Sequence, residues 1–410
     1  MHFTRHTSYY KRVSRRSPLG ASTPIIILAV VLLSSLMVPA SRGSSPAGAV
    51  SYASSPLRLL VVPVEFPDQP HVKAAAEIEH LVFYRLSLYL GEASYGRVRL
   101  EGSILDWVKA PRKLSFYGCD EGGIDRNVPV LVRHAVHLAS RKPGIRIDDY
   151  DLILIVHAGQ GQETSGRSID IWSAYWTGLD IKVRGISVES AVILPEYEGG
   201  GVDLLGPYAH EVLHALGLQD VGGVLARWDV MGRAAYYGDP PGSSPAHPTA
   251  YNKIRLGWIS PSDIAVAEAS ASSEVVLSPI ESASSLSSAS VLKIPLKTGS
   301  YYLVEFRSRI GFDRGLPSPA LLITLVEEGK GMNEWKVSLL PLNEDLTDPD
   351  GGTLKKSLSF PLGDDHPETI RFADEENNLE IQGTLSPEPL LIKIRIGAYY
   401  SLSNAGEPGQ

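Results

Sequence analysis

Apolar residues change their spacing several times along the chain, and each change marks an element. RLLVVPVEF, residues 58–66, is a near-continuous apolar run of strand length, the pattern of a strand buried on both faces. From Glu77 to Leu90 apolar side chains recur at 78, 81, 82, 86, 89 and 90, the spacing of one helical face. The segment up to about Val108 alternates as one or two strands, residues 125–141 return to helical spacing, and YDLILIV at 150–156 is a second buried strand. SVESAVILP at 187–195 reads as another strand. This alternation predicts an α/β (α+β) domain over residues 57–265. Beyond Trp258 the composition shifts. A Ser/Ala-rich passage, 269–290, leads into short strands near 291–296, 300–307, 319–327, 334–340, 379–385 and 389–396, with turn residues between them. That pattern predicts a C-terminal all-β, sandwich-like domain over 266–400, followed by a tail at 401–410.

The front of the chain has a different character. Arg5, Lys11, Arg12, Arg15 and Arg16 precede the apolar run PIIILAVVLLSSLMVPA at 24–40, and no acidic residue occurs before Glu65. A basic region, an apolar core and small residues around Ala40 predict a secretory signal peptide over 1–40. The alternative is an uncleaved N-terminal anchor, although the apolar run is short of the roughly 20 residues that span a bilayer. A secreted protein is therefore expected, or a cell-surface one whose membrane contact is that segment alone. Residues 41–56, rich in Ser, Ala, Gly and Pro, read as a flexible lead. Losing residues 1–40 takes the net charge from −8 to −13. No broad basic surface follows from such a balance, and nucleic acid is not an expected partner. Cys119 is the single cysteine, so export without disulfides leaves stability to core packing or bound ions. It reads as a buried or partly buried thiol.

The chemistry concentrates in HEVLHALGLQD, residues 210–220. His210 and His214 are four apart, so a helix stacks them on one face about 6 Å apart along its axis, where two imidazoles share one zinc ion. Glu211 lies beside them, placed to polarise a metal-associated water. Pro207 falls where this helix should begin, with Asp203 or Gly206 as cap, and Gly217 suits its left-handed end. Asp220 follows after the turn. It has two readings, a direct third ligand or an acid that orients a histidine from behind, and the first is preferred. Three protein ligands with an open position describe a catalytic zinc; no fourth ligand has the spacing of a structural site. The competing structural reading is an amphipathic helix with Val212, Leu213, Leu216 and Leu218 in the core and two solvent-facing histidines.

WDVMG at 228–232 places Met231 shortly after Asp220, like the Met-turn beneath the zinc of metzincins. With it the chain resembles the immune inhibitor A family of secreted, metzincin-like zinc metallopeptidases. Five further stretches carry the resemblance in order: LRLLVVPVEFPDQ, EASYGRVRLEGSILDWV, YDLILIVHAGQGQETSGRSIDIWSAYW, PTAYNKIRLGWISP and YYLVEFRSRIGFDRGLP, together covering about 57–330. The resemblance implies a metzincin-like catalytic domain at 57–265 and one catalytic Zn2+. It implies Glu211 as general base, Met231 as steric support and a polypeptide as substrate. It also implies that 187–195 is the edge strand to which substrate adds. Some metzincins carry a tyrosine two residues after the methionine. Here that position is Arg233, so Tyr236 and Tyr237 are weak oxyanion candidates, against the reading of two aromatics packed under a loop.

The expected activity is thus zinc-dependent hydrolysis of peptide bonds by an exported endopeptidase. The alternative is a catalytically silent cell-surface binding protein on the same scaffold, and the intact Glu211 argues against it. His247 reads as a solvated loop histidine, and His157 with Glu163 as a turn whose polar groups are satisfied. The acidic runs at 343–352 and 374–378 read as solvated hairpin turns. Ca2+ has no specific motif in them, since Leu346 falls where the first carboxylate of an EF-hand would stand.

Overall fold

A computed structural model describes residues 4–6, 56–269, 272–282, 288–296, 299–328, 335–339, 358–361, 369–386 and 391–398. The rest of the expected leader and the acidic run at 343–352 lie outside the described residues. The protein is mixed α/β with several sheets, and the chain divides into two compact units. The first holds residues up to Gly91, Gly96–Gly222 and Asp229–Pro245. The second holds Ala246 onward together with two short pieces, Glu92–Tyr95 and Gly223–Trp228. Among the described residues no helix is long and apolar enough to cross a membrane.

The first unit is built on one twisted sheet. Its centre is β2 (Leu57–Glu65) and β5 (Leu152–Gln160), which pair in parallel. Leu59 to Val62 and Leu154 to Val156 have almost no solvent exposure, as their unbroken apolar runs require when both faces are covered. β3 (Leu100–Ile104) and β4 (Val108–Lys109) pair with β2, and β7 (Ile186–Tyr197) pairs in parallel with β5. β6 (Ala174–Val183) pairs antiparallel with β7, and the short β1 (Thr4–His6) with β6. The expected edge strand at 187–195 is therefore interior, bonded on both sides. The outer strand is β6, bordered outside only at Tyr175–Thr177 by β1.

Helices cover the faces of this sheet. α1 (Ala75–Glu79) runs through a π-helical stretch, His80–Leu86, into α2 (Ser87–Ala93). α3 (Val128–Ala139) buries Val128, Leu131, Val132, Ala135, Val136 and Ala139, an i, i+3, i+4, i+7 stripe that joins the sheet's core. Cys119 departs from expectation. It is exposed, because it sits in the turn after the short helix Leu114–Tyr117, whose buried members are Leu114 and Tyr117.

The second unit is β-rich, with two sheets sharing one core. Val291–Pro295, Tyr301–Arg307, Ala320–Glu328 and Trp335–Leu339 run antiparallel in one sheet, with Ile264–Val266 beside the first of them and Leu358–Pro361 on the third. Ser273–Leu277, Leu391–Gly397, Leu379–Ser386 and Thr369–Asp374 form the other. Val304, Phe306, Leu321 and Ile323 of the first pack with Ile381, Ile392 and Ile394 of the second. The run at 374–378 is a hydrogen-bonded turn between two of these strands, with Asp374 accepting from the Asn377 main chain and side chain. His247 is not the solvated loop residue expected. It is fully buried, its Nε2 3.0 Å from Glu92 Oε1 and its Nδ1 3.2 Å from Lys253 Nζ. Around it Arg307, also fully buried, donates to Asp313 and to the Trp228 carbonyl.

Candidate metal centre

α4 (Leu205–Ala215) carries the His-Glu-x-x-His residues. Asp203 Oδ1 accepts the Leu205 N–H at 2.8 Å, satisfying one of the free donors of the first turn, and Arg85 from the π-helical stretch bonds both oxygens of Asp203 at 2.9 Å. Pro207 stands at the third helical position rather than the first, still within the turn where no intrahelical acceptor is needed. The helix is buried from Leu205 to His214, and His210, Glu211 and His214 are only 7%, 4% and 3% exposed. Solvent-facing histidines on an amphipathic helix are thereby excluded.

The helix ends as Gly217 allows. Gly217 has φ +104, the Leu218 N–H reaches back to the Leu213 carbonyl and the Gly217 N–H to that of His214, each at 3.0 Å. This double closure is the Schellman arrangement, which needs a left-handed residue at that point. It turns the Leu218 carbonyl onto His214 Nδ1 at 2.9 Å. On the other histidine, the Val230 carbonyl meets His210 Nδ1 at 2.9 Å. Val230 is held there by its neighbours: the Met231 N–H bonds Asp229 Oδ1, and the Met231 carbonyl accepts from Val221. Met231 is 1% exposed. A carbonyl on Nδ1 places the ring proton there and leaves the Nε2 lone pair free on both histidines.

Those lone pairs converge. The two Nε2 atoms are 3.1 Å apart, and Asp220 Oδ1 lies 3.1 Å from that of His210 and 3.3 Å from that of His214. Zinc with ligands at 2.0–2.1 Å in tetrahedral array separates them by about 3.3 Å. The donor set, two imidazoles and a carboxylate, thus fits zinc in chemistry and in spacing. His210, Glu211 and His214 also form the one group of three metal-capable side chains found among the described residues.

The electrostatics say the same. Burial opposes charge on Asp220, but hydrogen bonding to His210 and His214 outweighs it and holds the carboxyl far below the usual range. Burial likewise pulls His210 down, yet Asp220 and the charge of Glu211 carry it up to about 9. Three acceptors converge on one point, an arrangement that calls for positive charge between them. Glu211 is raised by burial. It takes a hydrogen bond from the Tyr175 main chain of β6, and its Oε2 is buried without a partner.

Sequence spacing located the three side chains of the motif and Asp220. It did not locate the carbonyls of Leu218 and Val230 or the Tyr175 N–H, because main-chain groups carry no residue identity; Gly217 is the only trace of one of them. Tyr236 closes a short 3-10 helix, Arg233–Tyr236, and the Tyr237 carbonyl accepts from Gly242 and Ser244; both tyrosines are half-buried. His157 and Glu163 do not form the satisfied turn expected of them. His157 is fully buried within β5, where residues on both sides of the strand cover it. Glu163 lies in the short helix Gln162–Ser165, and one of its buried oxygens has no partner.

No protein-family model matches the chain. It is similar to a protein named Immune inhibitor A from Bacillus thuringiensis subsp. alesti, with 27% identity over 213 residues, covering 40% of this chain and 30% of that protein. The chain therefore spans about 30% of the length of the curated relative it matches, and the likeness is to a part of it.

Proposed function

We propose that the protein is an exported, metzincin-like zinc endopeptidase of the immune inhibitor A kind. The observation that carries this reading is the triangle of His210 Nε2, His214 Nε2 and Asp220 Oδ1 with the bare Glu211 Oε2 beside it. Bound there, zinc supplies Lewis-acid stabilisation of negative charge and brings the pKa of water from near 16 to about 7. Glu211 does the proton work. Its Oε2 takes a proton from the attacking water as the new C–O bond forms, and passes it to the amide nitrogen as the C–N bond breaks. Carbonyls on both Nδ1 atoms keep the imidazoles in one tautomer through the cycle. Met231 supports the floor without touching substrate, and Tyr236 and Tyr237 are the weak candidates for an oxyanion donor. An extended polypeptide adds along the outer edge of β6 by main-chain pairing, the mode in which β1 pairs there.

The test compares the zinc-loaded full protein with Glu211→Ala and Asp220→Ala on an unfolded protein substrate, reading cut sites by mass spectrometry and counting bound zinc. Glu211→Ala should keep one zinc and lose about 10³-fold in rate. Asp220→Ala should lose more zinc affinity than the roughly 10–100-fold an outer partner is worth. Full zinc affinity in Asp220→Ala removes that residue from the ligand set. Equal cleavage by Glu211→Ala removes the mechanism, and a zinc-loaded wild type that cuts nothing favours the silent binding protein.

A further inference from the structure

Among the described residues the outer edge of β6 is covered at one place only, by a segment from the front of the chain. Thr4–His6 lies antiparallel along Tyr175–Thr177, with Thr4 opposite Thr177, Arg5 opposite Trp176 and His6 opposite Tyr175. On its inner side the same stretch pairs with Ser190–Val192 of β7, so these three residues are bordered on both sides. From Gly178 to Val183 the outer edge has no strand beside it among the described residues. The covered end is the one that bears on the candidate metal centre. Tyr175 is the residue whose main chain bonds Glu211, and Glu211 Oε2 stands buried and bare beside His210 and His214.

Direction matters as much as position. Because β1 is antiparallel to β6, it runs towards the start of β6 and leaves the edge at His6, opposite Tyr175. An extended polypeptide that adds to this edge uses main-chain N–H and C=O groups, which any sequence supplies. Thr4–His6 meets that requirement without a recognition motif, and the two cannot occupy Tyr175–Thr177 at once. We propose that Thr4–His6 is a self-inhibitory strand, which holds the end of the β6 edge beside Glu211 and competes there with an extended polypeptide. The inference rests on the reading of β6 as the edge to which substrate adds, and it concerns the chain that still carries residues 1–40. A three-residue strand pairs weakly, but a tether in the same chain gives it an effective concentration of about 1 mM. With a dissociation constant of about 0.1–1 mM for so short a strand, affinity for any other peptide falls about two- to tenfold. The uncleaved chain is thus slowed rather than silenced, and loss of residues 1–40 frees the edge.

The test reads binding, so that it does not depend on cleavage. The full chain carries Glu211→Gln, which stops hydrolysis yet keeps an oxygen for the Tyr175 N–H, and it is loaded with zinc. The probe is a fluorescein-labelled peptide of residues 1–10, with unfolded casein as competitor. In this background Thr4→Pro with Arg5→Pro removes two successive N–H groups, one of which must face β6. Thr4→Ala with Arg5→Ala keeps both. The proline form should bind the probe about two- to tenfold more tightly than its parent. Casein should displace the probe, and hydrogen exchange across Tyr175–Thr177 should quicken in the proline form. The alanine form should match the parent. Equal affinity in the proline form and its parent overturns the proposal, as does exchange unchanged by the prolines or a probe that casein cannot displace. An alanine form as open as the proline form overturns it too, since main-chain pairing would then not be what holds the segment. If binding follows expectation while the chain with Glu211 intact cuts nothing, the hydrolytic reading falls and the self-inhibited peptide-binding edge stands.

Discussion

His157 lies in β5 with its Nδ1 against the Ala158 carbonyl and no exposure to solvent. Burial brings its pKa down to about 4, so the folded protein keeps it neutral. Above pH 6.5 the imidazole is neutral folded or unfolded, and stability is unaffected. As pH falls from 6.5 to about 4 the unfolded chain takes up a proton that the folded one refuses, and stability drops by up to about 3 kcal/mol. Urea unfolding of the metal-free protein at pH 7 and pH 4.5 should show this loss, and His157→Gln should show correspondingly less of it. An identical loss in both proteins would move the acid sensitivity elsewhere. Residues such as His157, Glu163 and His247 are where the sequence misleads, since the cover over a side chain is laid by distant strands. His210, Glu211 and His214 were legible for the opposite reason: helical geometry alone fixes their mutual positions.

Among the elements, the turn after α4 has the most specific consequence. A side chain at position 217 meets nothing within 4 Å, so Gly217→Ala acts only through its backbone at φ +104. The strain should cost about 1–3 kcal/mol. Relaxing it moves the Leu218 carbonyl from His214, which should lower zinc affinity about tenfold. Gly96→Ala is the control: it too has positive φ and open space, but no part in the metal centre. Equal zinc affinity in the two variants would show that the turn does not orient His214. Most elements around this turn were readable, because β2, β5, α3 and α4 have long, regular patterns. The outer strand was not. β6 alternates buried and exposed positions and contains Gly178, Asp180 and Lys182, which disguise it, and whether a strand is an edge depends on its neighbours rather than on its own residues.

At the scale of the whole molecule, the two units are threaded through each other in sequence. Glu92, Tyr95 and Trp228 belong by their contacts to the second unit, where they meet His247, Lys253 and Arg307. A fragment of residues 57–245 contains those three residues without their partners. It should lack the cooperative urea transition of the full chain and hold zinc less tightly. A fragment that unfolds cooperatively and binds zinc like the whole would show the second unit to be dispensable. The composition change near residue 265 gives no hint of this threading, which depends on contacts too distant for local spacing to register.

Threading also sets a timetable. The piece between Asp220 and Val230 that belongs to the second unit, Gly223–Trp228, is synthesised well before the strands it joins. The last strand of those sheets ends at Gly397, so about 170 residues follow Trp228 first, which at 5–20 residues per second is a wait of roughly 10–30 s. Through that wait His210, His214 and Asp220 are already present, while the piece that follows them still lacks the strands it joins. On the function proposed above, a protein that must complete its second unit before it holds zinc firmly is expected to hydrolyse peptide bonds only once its synthesis is finished.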